Sequence, residues 1–94
     1  MGIECQGFEI IHQEDGNEAV ITYFLETFDD AIAKYGIYVE KELNHQVVEF
    51  EQTGGIADER EKAEGILKLL MRNQITPCVL NEVLYDFLVE RISG

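Results

Sequence analysis

Positive charge is scarce in this chain of 94 residues: seven Lys and Arg stand against nineteen Asp and Glu, leaving a net charge of −12. Such a surface repels nucleic-acid phosphates and anionic membranes, so direct binding to either is not expected, while cations and basic protein surfaces are attracted. Four of the basic residues, Arg60, Lys62, Lys68 and Arg72, are spread along one segment and form no nucleic-acid footprint. Cysteine is limited to Cys5 and Cys78, with no CxxC pair, and the two imidazoles, His12 and His45, have no second ligand at metal spacing. No metal or cofactor is therefore expected. Neither a secretory leader nor an apolar run of membrane-spanning length is present, so a cytoplasmic chain with free thiols is expected; a Cys5–Cys78 bridge stays open. GxGxxG, P-loop, GxSxG and HExxH patterns are all missing, and Gly54-Gly55 lacks the Lys of a phosphate cradle. No catalytic residue is assigned.

What remains is a folded acidic module. The hydrophobic content of 46%, with five Phe and four Tyr, excludes disorder despite the charge. The length fits a single domain over residues 1–94, with a sheet over residues 4–52 and a helical pair over residues 58–92. Acidity is concentrated in the first of these. Residues 1–55 hold twelve acids against Lys34 and Lys41, whereas residues 56–94 hold seven against five.

The run from Tyr35 to Gln52 alternates apolar and charged residues at period 2 around Asn44-His45, which predicts a β-hairpin. A straight register with Leu43 facing Gln46 sets Val39 opposite Phe50, Lys41 opposite Val48, and Glu40 opposite Glu49. Residues 1–13 read as a strand, and Asp15-Gly16 as the centre of a tight turn pairing Ile10 with Ile21 and Phe8 with Tyr23. The next strand, from Glu18 to Phe28, is apolar on both sides: Ala19, Ile21, Tyr23 and Leu25 on one, Val20, Phe24 and Phe28 on the other. Residues 29–34 allow a short helical turn. Gln52-Thr53-Gly54-Gly55 is expected to end the sheet.

From Asp58 to Asn73 the spacing of Ala63, Ile66, Leu67 and Leu70 predicts an amphipathic helix. Asp58 and Glu61 suggest a capping box, Glu64 and Lys68 an i,i+4 pair, Gly65 a close contact, and Asn73 a left-handed end. Thr76-Pro77 starts a second helix, Pro77 to Ile92, with an apolar stripe of Leu80, Val83, Leu84, Phe87, Leu88 and Ile92. Cys78, in its first turn, is expected to be a small buried packing residue. The fold expected is α+β: an antiparallel meander of three to four strands with two C-terminal helices packed on one face. Ile10, Ile21, Tyr23, Leu25, Ile37, Val39, Val48 and Phe50 are the expected helix-bearing face.

The strand Tyr35-Gly36-Ile37-Tyr38-Val39-Glu40-Lys41, the Leu-rich charged helix, and Ile75-Thr76-Pro77-Cys78-Val79-Leu80 leading into Val83-Leu84-Tyr85-Asp86-Phe87-Leu88 resemble a family of small uncharacterised bacterial proteins. The likeness covers roughly residues 18–90. It implies this fold and a bacterial cytoplasmic setting, and it supplies neither catalytic residues nor a ligand.

The straight register gathers Tyr38, Glu40, Glu42, Val47, Glu49 and Glu51 on the outer face of the hairpin. Like charges directly opposite one another cost stability, about 0.2 to 1 kcal/mol in an exposed sheet. A bound divalent cation, a basic side chain from a partner, or salt screening could offset that cost. A solvated sheet face that deters edge-to-edge aggregation is the bland alternative. The surplus apolar residues Val20, Phe24 and Phe28 beside these carboxylates suggest a non-enzymatic interaction or regulatory module. Its expected interaction surface is Val20, Phe24, Phe28, Tyr38, Glu40, Glu42, Glu49 and Glu51. Its partner is either a second copy, giving a homodimer, or another protein of basic character. The alternative is an acidic decoy that occupies a basic or nucleic-acid-binding protein, and a divalent-cation-binding protein ranks below both.

Overall fold

The computed structural model describes residues 2–29 and 32–93, with side chains described as far as Asp86. Four strands, β1 (Gly2–His12), β2 (Glu18–Thr27), β3 (Tyr35–Leu43) and β4 (Gln46–Ala57), form an antiparallel meander in the order β1-β2-β3-β4. Helix α1 (Arg60–Arg72), a 3-10 turn (Pro77–Val79) and helix α2 (Leu80–Ser93) follow. This is the α+β architecture expected, with the full four strands.

One sheet face carries the core. Ile21, Tyr23 and Leu25 of β2 and Ile37 and Val39 of β3 are buried against Ala63, Ile66, Leu67 and Leu70 of α1, with Leu80 and Leu84 closing one side. The β-branched and aromatic run of β2 is central because both of its neighbours pair along its full length. Tyr23 is fully buried, and its hydroxyl donates to the Ile75 carbonyl at 2.9 Å, tying the middle of the sheet to the connection between the helices. Burial, and then the charge of Glu9, push its phenol far above the ordinary tyrosine value.

The first hairpin is longer at its turn than expected. Residues 13–17 form the loop, with the Gln13 N–H donating to the Asn17 carbonyl at 2.9 Å and the Asn17 N–H donating to Asp15 Oδ1 at 3.0 Å. Gly16 takes a φ of +86° within it. The pairing therefore joins His12 to Glu18, Ile10 to Val20 and Phe8 to Thr22, one residue away from the expected partners. Phe8 and Ile10 thus lie on the face away from the helices.

The second hairpin turns where expected, with Asn44 and His45 both at positive φ and Leu43 opposite Gln46. A bulge then overturns the straight register. Glu42 pairs with Val47 but Lys41 pairs with Glu49, leaving Val48 as the extra residue. Val39 consequently faces Glu51 and Glu40 faces Phe50. The like-charge pair of Glu40 opposite Glu49 that a straight ladder imposes is thereby avoided, and Glu49 stands across from Lys41. Phe50 and Val48, expected in the core, are exposed.

Strand β4 also continues past the expected stop at Gln52. A second irregularity at Thr53-Gly54, with Gly54 at φ +70°, lets the strand run on to a buried Ala57. The Thr53 hydroxyl accepts the Ile37 N–H at 3.0 Å, replacing a ladder bond that the bulge removes. Gly36 is required here, because a β-carbon on it would overlap the Gly54 carbonyl oxygen.

Local details of the helices differ from expectation. Among the described residues no side chain caps the N-terminus of α1, whereas at its C-terminus the Asn73 side-chain amide donates to the Leu69 carbonyl at 2.8 Å; Asp58 pairs with Lys62 at 3.4 Å, and Glu64 pairs with Arg60 at 3.4 Å. Arg60 also reaches across to Glu4 of β1. Gly65 is exposed with open space around it, so it marks no close contact. The left-handed residue that ends α1 is Gln74, at φ +53°, and not Asn73. The Gln74 N–H donates to the Met71 carbonyl at 3.1 Å and the Ile75 N–H to the Leu70 carbonyl at 3.0 Å, the Schellman pairing. Cys78 is exposed, not a packing residue, and both cysteines are free. The expected helical turn over residues 29–34 lies partly outside the described residues, as do the side chains of Phe87, Leu88 and Ile92.

Candidate interaction surface

With α1 and the 3-10 turn on one side of the sheet, the register fixes what the other side presents. Side chains of paired residues point the same way, so the open face reads as rows running from β1 to β4. Ile10, Val20, Glu42 and Val47 form one row; Phe8, Thr22, Glu40 and Phe50 the next; Cys5, Phe24, Tyr38 and Gln52 a third; Ile3, Glu26, Gly36 and Gly55 a fourth. His12 and Glu18 extend it at one end, with 3.6 Å between imidazole Nδ1 and carboxylate Oε1.

Aromatic contacts knit the middle of this face together. The Phe24 and Tyr38 rings meet edge to face at 5.6 Å between centroids, and Tyr38 stacks with Phe50 at 5.9 Å and 22°. The Phe28 ring, one residue beyond β2, comes within 3.0 Å of where a Gly36 β-carbon would stand, so it lies over the end of the same face. Phe50 and Phe8 remain 63% and 62% exposed, and Ile3 and Ile10 are exposed with them. Several exposed apolar side chains gathered on one sheet face of a small protein are a common mark of a docking site.

Carboxylates are set into that surface. Glu18, Glu26, Glu40 and Glu42 all lie on the open face, whose described rows contain neither Lys nor Arg. Burial, and then the neighbouring Glu40, raise the Tyr38 phenol above its ordinary value. Glu26 differs from the other three in being only 8% exposed. Among the described residues its Oε1 has no hydrogen-bond partner, and burial raises its pKa above the ordinary carboxylate value.

The residues expected to share this surface divide. Val20, Phe24, Phe28, Tyr38, Glu40 and Glu42 are brought together on the open face. Glu49 and Glu51 are not: the Val48 bulge turns them to the helix side, opposite Lys41 and Val39. The expected cluster of four glutamates does not assemble, and among the described residues no group of three or more His, Cys, Asp or Glu converges as metal ligands would. Phe8, Ile10, Phe50 and Glu26 belong to the surface and were not expected there. For Phe8 and Ile10 the available signal was the length of the polar stretch Gln13 to Asn17, which suits a five-residue loop as well as a two-residue turn. For Phe50 it was the like-charge clash that the straight register itself imposed.

A second apolar feature lies on the opposite side of the molecule, a cleft of about 380 Å³ between α1 and the start of α2. Ile66, Leu69, Leu70, Ile75 and Val83 line it, with Asn73 the one polar side chain among the described residues there. Among the described residues it offers shape without a charged or titratable group.

No described helix is long and apolar enough to cross a membrane. Residues 4–90 match the model of a family of unknown function, DUF6514, and the chain belongs to that family. No curated protein and no solved structure matches it significantly.

Proposed function

We propose that this member of a family of unknown function is a small, non-enzymatic interaction or regulatory module, and that the open sheet face is the surface by which it docks. The observation that carries the reading is the Phe24–Tyr38–Phe50 aromatic group with exposed Phe8 and Ile10 beside it, all turned away from the helices that fill the core. Burying such a face against a partner recovers hydrophobic free energy at about 25 cal/mol per Å² of apolar area, before the entropic cost of association.

The acidic-decoy alternative draws its support from total charge alone. Its carboxylates are split between two faces, with Glu40 and Glu42 on one and Glu49 and Glu51 on the other, and that spreads them where a decoy gains from a continuous line. A bacterial cytoplasmic setting belongs to the same proposal. It is supported by the likeness of the Tyr35–Lys41 strand and the Thr76-Pro77 helix start to small bacterial proteins, and by two free thiols.

The test is affinity capture from the producing cells with the native chain and with a Phe8→Ser/Phe50→Ser double variant. Both rings are largely exposed, so the variant folds. Loss of a stoichiometric partner, or of self-association, with the double variant supports the proposal. Equal recovery with both proteins contradicts it.

A further inference from the structure

The open face is not uniformly greasy, and the arrangement of its charges says what can cover it. Glu40 and Glu42 run along β3, in the middle of the face, with Val20, Ile10 and Phe8 to one side and Val47 and Phe50 to the other. Glu26 lies two rows further along, one strand over, beyond Tyr38. A carboxylate that is more than nine-tenths buried with one oxygen unpartnered is an uncompensated cost in the isolated chain. Ionised carboxylates in an apolar setting gain most from a donor that is cationic, planar and itself able to lie against aromatic rings, which describes a guanidinium. Tyr38, Phe24 and Phe50 supply those rings beside the carboxylates.

A second copy of this chain is the poorer occupant. Two such faces placed together bring eight glutamates into one desolvated interface, with no Lys or Arg from either described face to neutralise them. The dimensions also favour a segment over a globular surface. Five rows at roughly 6.8 Å and three inter-strand gaps of about 4.8 Å give a strip roughly 27 Å by 14 Å. A single α-helix of about 18 residues, 27 Å long and about 10 Å wide, covers that strip.

Resting on the docking reading above, we infer that the occupant is an amphipathic segment of another protein that presents arginines within its apolar stripe, with one guanidinium on the Glu26 carboxylate and others on Glu40 and Glu42. The aliphatic stems of those arginines pack on the apolar rows while their heads reach the carboxylates. Helix-in-groove recognition of this kind draws affinity from the apolar anchors and orientation from the charge pairs.

The experiment is an amide NMR titration of the full chain with two synthetic helical peptides of about 18 residues. They share the same Leu and Phe positions; one interleaves Arg and the other Gln. Since any cationic peptide is drawn to a protein of charge −12, a Glu26→Gln/Glu40→Gln variant is compared with a Glu59→Gln/Glu61→Gln variant that loses the same charge from the start of α1. The inference expects the Arg peptide to shift β2 and β3 amides, to bind about tenfold or more tighter than the Gln peptide, and to lose that preference only in the Glu26/Glu40 variant. Equal binding of both peptides at the open face overturns the inference and leaves the docking reading standing. Equal weakening by both double variants overturns it as well, because the attraction is then net charge. A dimer in sedimentation whose outer-face amides are protected overturns it in favour of a second copy. If the chain is monomeric and neither peptide moves outer-face amides, the docking reading falls together with the inference.

Discussion

Tyr38 and Phe50 stack at 5.9 Å across β3 and β4 on the side of the sheet that the helices leave open. The contact exists because Val48 is bulged out, which turns Phe50 away from the core and sets Lys41 beside Glu49. Phe50→Ala is therefore expected to cost about 1 kcal/mol, the size of an exposed aromatic pair. That is well below the 3 to 5 kcal/mol typical of a truncated core aromatic, roughly speaking. Urea denaturation of the two proteins checks it; a loss of core size would place Phe50 inside.

The Tyr23 hydroxyl donates a partly buried hydrogen bond to the Ile75 carbonyl. Tyr23→Phe removes the donor and leaves that carbonyl without it, at a cost of about 1 to 3 kcal/mol. The same change removes the donor that anchors the connection between α1 and the 3-10 turn. Hydrogen exchange should accelerate at Ile75 and its neighbours more than in β1.

Glu26 gives the fold a pH dependence of its own. Its folded-state pKa lies above its ordinary value of 4.5, so the native chain holds this proton more tightly than the unfolded one. Stability from this group is then fully present below the ordinary value and is lost as pH rises through the raised one. Glu26→Gln should raise the melting temperature at neutral pH and show a shrinking advantage as the pH falls through the carboxylate range. A difference that does not change with pH would mean that the carboxylate is not desolvated.

Helix α1 has two correctable positions. Gly65 is exposed, lies inside the helix and has nothing near its missing β-carbon, so Gly65→Ala should stabilise the protein by about 1 kcal/mol. Gln74 holds a left-handed conformation at the helix end, so Gln74→Gly should stabilise by about 0.5 to 1 kcal/mol. Thermal denaturation of each variant reads the effect directly.

The elements themselves were legible in the sequence. Period-2 alternation marked the strands, the Ala63, Ile66, Leu67 and Leu70 spacing marked α1, and Asn44-His45 marked the tight turn, because each signal is local. The facing of β1 and β4 was not, because a single inserted residue inverts every side chain beyond it. Val48 in β4 and the five-residue loop before β2 are two such insertions, and alternation alone continues smoothly through both. The candidate surface was accordingly half visible. Val20, Phe24 and Tyr38 lie on β2 and β3, whose pairing with each other is unbroken, whereas Phe8, Ile10 and Phe50 lie beyond a shift. Glu26 escaped notice because one acid in a strand reads as solvated until its burial is known.

The two native thiols allow the central claim to be measured without altering the chain. Cys5 lies in the open face, in register with Phe24, while Cys78 lies in the 3-10 turn, and both are exposed. Their alkylation rates can be compared in the purified protein and in the cells that make it. If the open face is the docking surface, Cys5 is protected in the cell relative to the purified chain and Cys78 is not. Equal reactivity of Cys5 in both settings, or selective protection of Cys78, would contradict the account.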